Sequence, residues 1–271
     1  MAVQFIGVFS DAFKAVWKNK RLWLLHFVLN AVIVVASVLW LKIGDASVWQ
    51  LIFAAVVALL LVVTALWLHG GTLAYFLDVH GSGGTSLSAG FKNGRRHLLA
   101  FAAWAIIFAI IICNASKLGN TDAFDSWLRS SMPAFLRRMI SLNAIDGVVG
   151  WSVNFLLYVL IPGLLLPFAA QFANHGFSSL GSSFKAWTRT VGKFSYWIWF
   201  CILALLGIYL PYVIAAKAPI PASLWLDHLS LVVRFGFAFA LTITAWLMLT
   251  SVLGRLGSGK GSESPSGNAP A

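Results

Sequence analysis

Phe9-Ser10-Asp11-Ala12-Phe13-Lys14-Ala15-Val16-Trp17-Lys18 returns in kind as Leu87-Ser88-Ala89-Gly90-Phe91-Lys92-Asn93-Gly94-Arg95-Arg96 and again as Leu180-Gly181-Ser182-Ser183-Phe184-Lys185-Ala186-Trp187-Thr188-Arg189. Anchored on the Phe-Lys pair, each segment has a large apolar residue four before Phe and a base four after Lys. On a helix those spacings put the apolar pair on one stripe and the two bases on another. A long apolar run follows each segment. The pattern predicts a short amphipathic helix lying at a membrane surface and feeding two membrane-spanning helices, used three times.

Composition agrees with a lipid setting. The chain has 271 residues, 60% apolar and 10% charged, with a mean hydropathy of +0.86. A soluble domain carries roughly 25% charged residues, so this surface cannot face water everywhere. Several runs reach the about 18 to 20 apolar residues needed to cross a hydrocarbon layer. The net charge of +11 could suit nucleic acid, but such binders gather bases on one water-exposed face. Here the bases lie in short loops beside apolar runs, which suits anionic lipid headgroups and excludes nucleic acid as a partner. The two cysteines, Cys113 and Cys201, fall near opposite membrane faces and are not expected to pair.

Outward from the first segment, residues 4–20 form a surface helix with Phe5, Phe9, Phe13, Val16 and Trp17 on one side. Span one is Leu22 to Ile43; it is too long for a signal-peptide core and lacks a cleavage site. Gly44-Asp45-Ala46-Ser47 offers capping oxygens for span two, which starts at Val48, is apolar to Leu68 and can continue as a helix to Asp78. A Gly- and Ser-rich link, 81–86, leads to the second surface helix and to span three, Leu98 to Ala115. In the polar interval 116–150, apolar residues at helical spacing on both sides of Pro133 predict two short interfacial helices with a proline break. Span four, Trp151 to Phe172, should kink at Pro162-Gly163 and Pro167. The third surface helix is capped by Ser178 or Ser179. Span five is Phe194 to Ala216. A proline-rich link, 217–221, and a short amphipathic piece around Trp225 precede span six, Ser230 to Leu253. The expected fold is therefore all-α: six transmembrane helices in one membrane domain, 1–254, made of parallel pseudo-repeats 1–79, 80–174 and 175–254. A disordered tail, 255–271, closes the chain.

Charge orients this layout. With six spans both termini share one side, which holds twelve bases (Lys14, Lys18, Lys20, Arg21, Lys92, Arg95, Arg96, Lys185, Arg189, Lys193, Arg255, Lys260) and three acids, a net of +9. The other side holds six bases and five acids, net +1. The positive-inside rule then puts both termini and all three basic helices in the cytoplasm. Because every unit starts on the same side, the repeats are parallel, unlike the inverted pairs behind many alternating-access transporters.

Gly71-Thr72-Leu73-Ala74-Tyr75-Phe76-Leu77-Asp78-Val79-His80-Gly81, with Thr85-Ser86-Leu87 and Gly90-Phe91-Lys92, resembles the membrane domain found ahead of some bacterial glycerophosphodiester phosphodiesterases and in free-standing multi-pass relatives. In that layout a span ends in a small-residue motif, and a Gly turn with a Ser-Leu-led amphipathic helix opens the next pair. The resemblance implies a bacterial inner-membrane protein. It carries over no catalytic residue, since no phosphodiesterase domain follows.

Candidate chemistry is sparse. Lys14/Lys18, Lys92/Arg96 and Lys185/Arg189 are the candidate contacts to anionic lipid or a partner; the alternative is that they only set topology. Five of six histidines (His26, His69, His80, His97, His175) fall toward the cytoplasmic half. None has a metal-ligand spacing, and His80-Gly81 and His175-Gly176 read as helix ends with a glycine stop. Asn30 and Asn154 should bond across helices, and Arg234 should snorkel to the outer face. Asp122, Asp125 and Asp146 lack catalytic partners, and Pro265-Ser266-Gly267 lies in the tail. No metal and no cofactor are expected. The expectation is a non-catalytic membrane scaffold or accessory protein that meets phospholipid, a protein partner or a second copy of itself. The alternatives are a transporter or channel and, third, an enzyme of lipid metabolism.

Overall fold

The computed structural model describes residues 2–44, 46–82, 85–117, 122–217 and 224–257, and its regular structure is all helical. Asp45, Gly83-Gly84, most of the proline-rich link and the tail from Ser258 lie outside these residues. In chain order the helices are α1 (Ala2–Lys18), α2 (Lys20–Trp40), α3 (Val48–Ser82), α4 (Leu87–Arg96), α5 (Leu98–Ser116), α6 (Asp122–Ser131) and α7 (Ala134–Met139). Then come α8 (Leu142–Phe155), α9 (Ile161–His175), α10 (Leu180–Val191), α11 (Phe194–Ala204), α12 (Leu210–Lys217) and α13 (Leu224–Gly257).

Side-chain caps mark several starts. Asn19 accepts from the Leu22 N–H at the head of α2, Ser86 does the same for Ala89 in α4, and Ser141 for Ala144 in α8. Ahead of α3, Ser47 Oγ accepts from the Gln50 N–H while Gln50 Oε1 accepts from the Ser47 N–H, at 3.3 and 3.0 Å. This reciprocal box satisfies two helix-end donors.

Six helical stretches are long and apolar enough to cross a membrane: Lys20–Trp40, Val48–Gly81, Leu98–Ser116, Asn143–Ser178, Phe194–Ala216 and Trp225–Gly257. The chain is thus a multi-pass helical membrane protein. The proline break after α6 also forms, with Pro133 as the residue before α7.

Other boundaries move. α3 is a single helix of 35 residues, roughly 50 Å at 1.5 Å per residue and well beyond the ~30 Å of hydrocarbon. It runs through Gly81, so His80-Gly81 is no stop; the one positive-φ residue among those described is Gly176, at 65°. α8 starts at Leu142, nine residues before the expected start of span four. Ahead of Pro162 that span forms a π turn, Leu156–Leu160, closed by Ile161 N–H to Leu156 O. A proline has no N–H to continue the regular ladder, and the wider turn absorbs the misfit. A second π turn, Leu205–Tyr209, lies between α11 and α12. α13 takes in both the piece around Trp225 and span six, and it continues through Arg255 and Leu256 to Gly257.

The chain divides into two compact units, residues 1–102 with 167–271, and residues 103–166. In the larger unit the core gathers at the C-terminal ends of α3 and α13. Leu68, Leu73 and Phe76 are buried against an α13 stretch that buries Leu247, Val252 and Leu253. The first half of α3 is different: Trp49, Phe53, Leu59 and Leu60 are exposed to whatever surrounds the protein, which for a membrane span is lipid. Backbones meet closely at this core. A Cβ on Gly254 would lie 2.5 Å from Phe76 O, and one on Gly94 would lie 2.6 Å from Gly71 Cα.

In the smaller unit α6 packs on α8, where Ile145 and Val149 are the buried positions. Gly147 stands inside α8 with nothing within 4 Å of a would-be Cβ. Gly147→Ala is expected to raise stability by roughly 0.5–1 kcal/mol through helix propensity alone. A detergent thermal melt would register it, and a loss of stability would mean that Gly147 has a neighbour.

Candidate functional site

α1, α4 and α10 carry the three Phe-Lys segments, all within the larger unit, and each packs on an apolar helix. α4 lies along α3, while α1 and α10 contact α13. The stripe they bury is one residue away from the expected one. The residue before Phe is small and buried in every segment: Ala12 and Ser183 at 0% exposure and Gly90. Phe13 and Phe184 are 45% and 58% exposed, and of the three anchors only Phe91 is buried. Small side chains bring helix axes close in lipid, and large ones can turn outward at no hydrophobic cost.

All six candidate bases, Lys14, Lys18, Lys92, Arg96, Lys185 and Arg189, have exposed side chains. Among the described residues none forms an ion pair. Ion pairs do join Arg255 to Asp11 at 3.3 Å and Arg234 to Asp227 at 3.5 Å. Arg234 therefore answers a carboxylate seven residues back, with its side chain only 13% exposed, rather than reaching outward alone. Lys193 donates to Leu256 O at 3.1 Å and so closes the C-terminal end of α13. Partial burial, then Arg189 and Arg255, lowers its pKa. A basic field thus surrounds this end of the unit.

Arg96 lines a cleft. The cleft measures about 670 Å³ and has two walls: Asn93, Arg96 and His97 at the end of α4, and Asn174, His175, Ser178 and Ser182 between α9 and α10. An amide chain holds the walls together. Asn93 Nδ2 donates to Asn174 Oδ1 and to Asn174 O, and Asn174 Nδ2 donates to Asp78 Oδ1 at 3.0 Å. The His97 ring lies over Gly176, where a Cβ would fall 2.5 Å from His97 Nδ1. Positive φ and this contact together require glycine there. Ser178 Oγ donates to His175 O at 2.9 Å, so it closes the turn instead of capping α10, which continues from a 3-10 turn, Gly176–Ser179. Desolvation, then Arg96, then His175, holds His97 below the usual imidazole range.

Sequence reasoning found Arg96 but missed Asn93, His97, Asn174 and His175 as partners. Asn93 meets Asn174 from 81 residues away, and Asn174 meets Asp78 from 96, and no local motif announces such pairings. The polar groups inside the spans also differ from expectation. Asn30 Nδ2 donates to His26 O of its own helix at 2.8 Å, not across to another. Between helices, His26 Nε2 meets Thr72 Oγ1 at 2.7 Å, and Trp23 Nε1 donates to Thr244 Oγ1 at 3.3 Å. Among the described residues no three His, Cys, Asp or Glu side chains gather as metal ligands; the side chains of Asp122 and Asp125 lie outside them. No family model, curated protein or solved structure matches this chain.

Proposed function

We propose that the chain is a non-catalytic membrane scaffold or accessory protein. In this reading both termini are cytoplasmic and three parallel units, 1–79, 80–174 and 175–254, each rest a basic helix on the inner leaflet. Lys14, Lys18, Lys92, Arg96, Lys185 and Arg189 engage anionic phospholipid there, or a protein partner drawn to the same surface. The observation that carries the reading is the exposure of all six bases without a carboxylate partner among the described residues, on helices packed against membrane-length neighbours. Charge left uncompensated by the protein attracts phosphate, at about 1 kcal/mol per base near an anionic surface. The twofold excess of bases on this side supports the orientation, and the resemblance to the phosphodiesterase-associated membrane domain supports a bacterial inner membrane.

The test is charge reversal. Lys14→Glu, Lys92→Glu and Lys185→Glu together should weaken retention of phosphatidylglycerol over phosphatidylcholine by at least about 100-fold, from three contributions of about 1 kcal/mol each. Native mass spectrometry of the detergent-extracted protein gives the ratio directly, and retention unchanged by the triple reversal would remove the reading. Orientation has its own check: single cysteines placed at the exposed Ala89 of α4 and Gly181 of α10 should label only from the cytoplasmic face of oriented vesicles.

The π turns favour a second reading, passage of a small or lipid-like solute, because such turns mark places where a helix can change register. In vesicles, Pro162→Ala or Asn154→Ala should then change flux. Flux equal to the parent's in both variants counts against transport.

A further inference from the structure

The geometry points to the Arg96–His97–His175 cleft as a binding site for a phosphate monoester. This rests on the preceding reading only in placing the cleft at the headgroup layer. His97 is the residue immediately before Leu98, where the apolar α5 begins, so a phosphate held there sits at the depth where headgroups end and acyl chains start.

The chemistry of the walls selects the ligand. Arg96 brings a permanent charge and a planar fork, matched to two phosphate oxygens at once. His97 from the same wall and His175 from the opposite one bring two imidazoles, each with a ring N–H that can donate to an anion. Among the described residues no carboxylate lines the cleft, and Asp78, behind the wall, accepts from Asn174 Nδ2. Both polar hydrogens of Asn93 Nδ2 are directed at Asn174, and Asn174 Nδ2 approaches His175 Nε2 at 3.5 Å, so the amides position the walls that Arg96 and the two imidazoles line. The first turn of α10 borders the same space, but so do the C-terminal ends of α4 and α9, so the attraction for an anion comes from the side chains and not from helix dipoles.

One guanidinium and two imidazoles lining the same cleft offer donors for three phosphate oxygens rather than two. A phosphodiester headgroup offers a single charge and two free oxygens. A monoester offers a charge of about −1.5 to −2 near neutral pH and three free oxygens. Desolvation by burial, then Arg96 and His175, disfavour the charged form of His97, and a dianion would offset the last two. The third oxygen then finds the second imidazole, which a diester leaves without a partner.

Full-length protein in detergent, titrated and followed by native mass spectrometry, separates the outcomes. Dioctanoyl phosphatidic acid should bind about tenfold more tightly than dioctanoyl phosphatidylglycerol, the worth of one charge-assisted hydrogen bond. Arg96→Gln and His175→Gln should each abolish that preference. Arg96→Lys should keep part of it, having the charge without the fork, and Lys117→Gln, outside the cleft, should keep all of it. If glycerol phosphate or inorganic phosphate competes at equal concentration, the monoester site stands and its ligand is soluble; if neither competes, the ligand is the lipid. Equal binding of both lipids, weakened equally by Arg96→Gln, overturns monoester recognition and leaves the general anionic-lipid reading intact. Failure of either lipid to bind above phosphatidylcholine removes both. Arg96 is exposed, so its variants should melt with the parent in the absence of ligand.

Discussion

Gly94→Val is expected to cost about 3 kcal/mol of stability, the upper part of the overpacking range, and to loosen the polar cleft with it. At Gly94 a Cβ would lie 2.6 Å from Gly71 Cα and 2.8 Å from Gly71 N. Both are backbone atoms in the buried C-terminal part of α3, so no rotamer change relieves the clash; α4 itself must lift from α3. Gly71 faces a softer obstacle, the Phe91 ring at 2.7 Å. Gly71→Ala should therefore cost less than Gly94→Ala, because a ring can tilt where a backbone cannot. With Gly147→Ala as the opposite extreme, the three alanine substitutions rank by what each Cβ meets. Unfolding in mixed micelles, followed by tryptophan fluorescence, gives the order. Lifting α4 also displaces Asn93 and Arg96, so Gly94→Val should weaken phosphate binding although the residue touches no ligand. A Gly94→Val protein within about 0.5 kcal/mol of the parent, the scatter of ordinary surface changes, would show that α4 does not pack as described.

That close approach explains why the apolar runs were legible in the sequence and the packing was not. Membrane-length helices show themselves by length and hydropathy, and the Ser47-x-x-Gln50 cap and the Pro133 break are local signals, so all of these were readable. The buried stripe was not. In water, a periodic row of large apolar residues marks the face that packs, because exposure is costly. In lipid that cost vanishes, and the packing face belongs to small residues that admit a neighbouring backbone. The sequence shows Phe13, Phe91 and Phe184; the structure packs Ala12, Gly90 and Ser183. The same reasoning covers the boundaries. α3 and α13 continue past the lipid depth because their ends are the core of the larger unit, and hydropathy, which falls there, signals an exit from the membrane where the chain in fact begins to pack. Arg96 could be found as a base at a fixed spacing. Asn174 and Asp78 could not, since their role depends on which helix ends meet.

Thr72→Val and His26→Leu should each destabilise the protein, and the two together by less than their sum. Both side chains are at 0% exposure. Thr72 Oγ1 has one hydrogen, and it is directed at Leu68 O at 2.7 Å, an atom that can only accept. The contact between Thr72 Oγ1 and His26 Nε2 must then be donated by the imidazole. That leaves His26 Nδ1 unprotonated, facing Asn30 Nδ2 at 3.3 Å, a group that can donate to it. One hydroxyl thus fixes the tautomer of the ring and joins α2 to α3. Valine keeps the shape of threonine but strands a buried N–H, at about 1–3 kcal/mol; serine keeps the oxygen and should cost much less. Removing both partners leaves no imidazole N–H to strand, although Asn30 Nδ2 loses its contact with the ring, which is why the double variant recovers part of the loss. Hydrogen bonds between membrane helices average only about 0.6 kcal/mol because unpaired groups find other partners in the unfolded state. Here full burial on both sides argues for a coupling above that average, toward the 0.5–3 kcal/mol seen for residues in contact. A double-mutant cycle measured in mixed micelles decides it. Strict additivity would mean that the two helices are held by apolar packing alone, and that Thr72 has no say in how His26 is protonated.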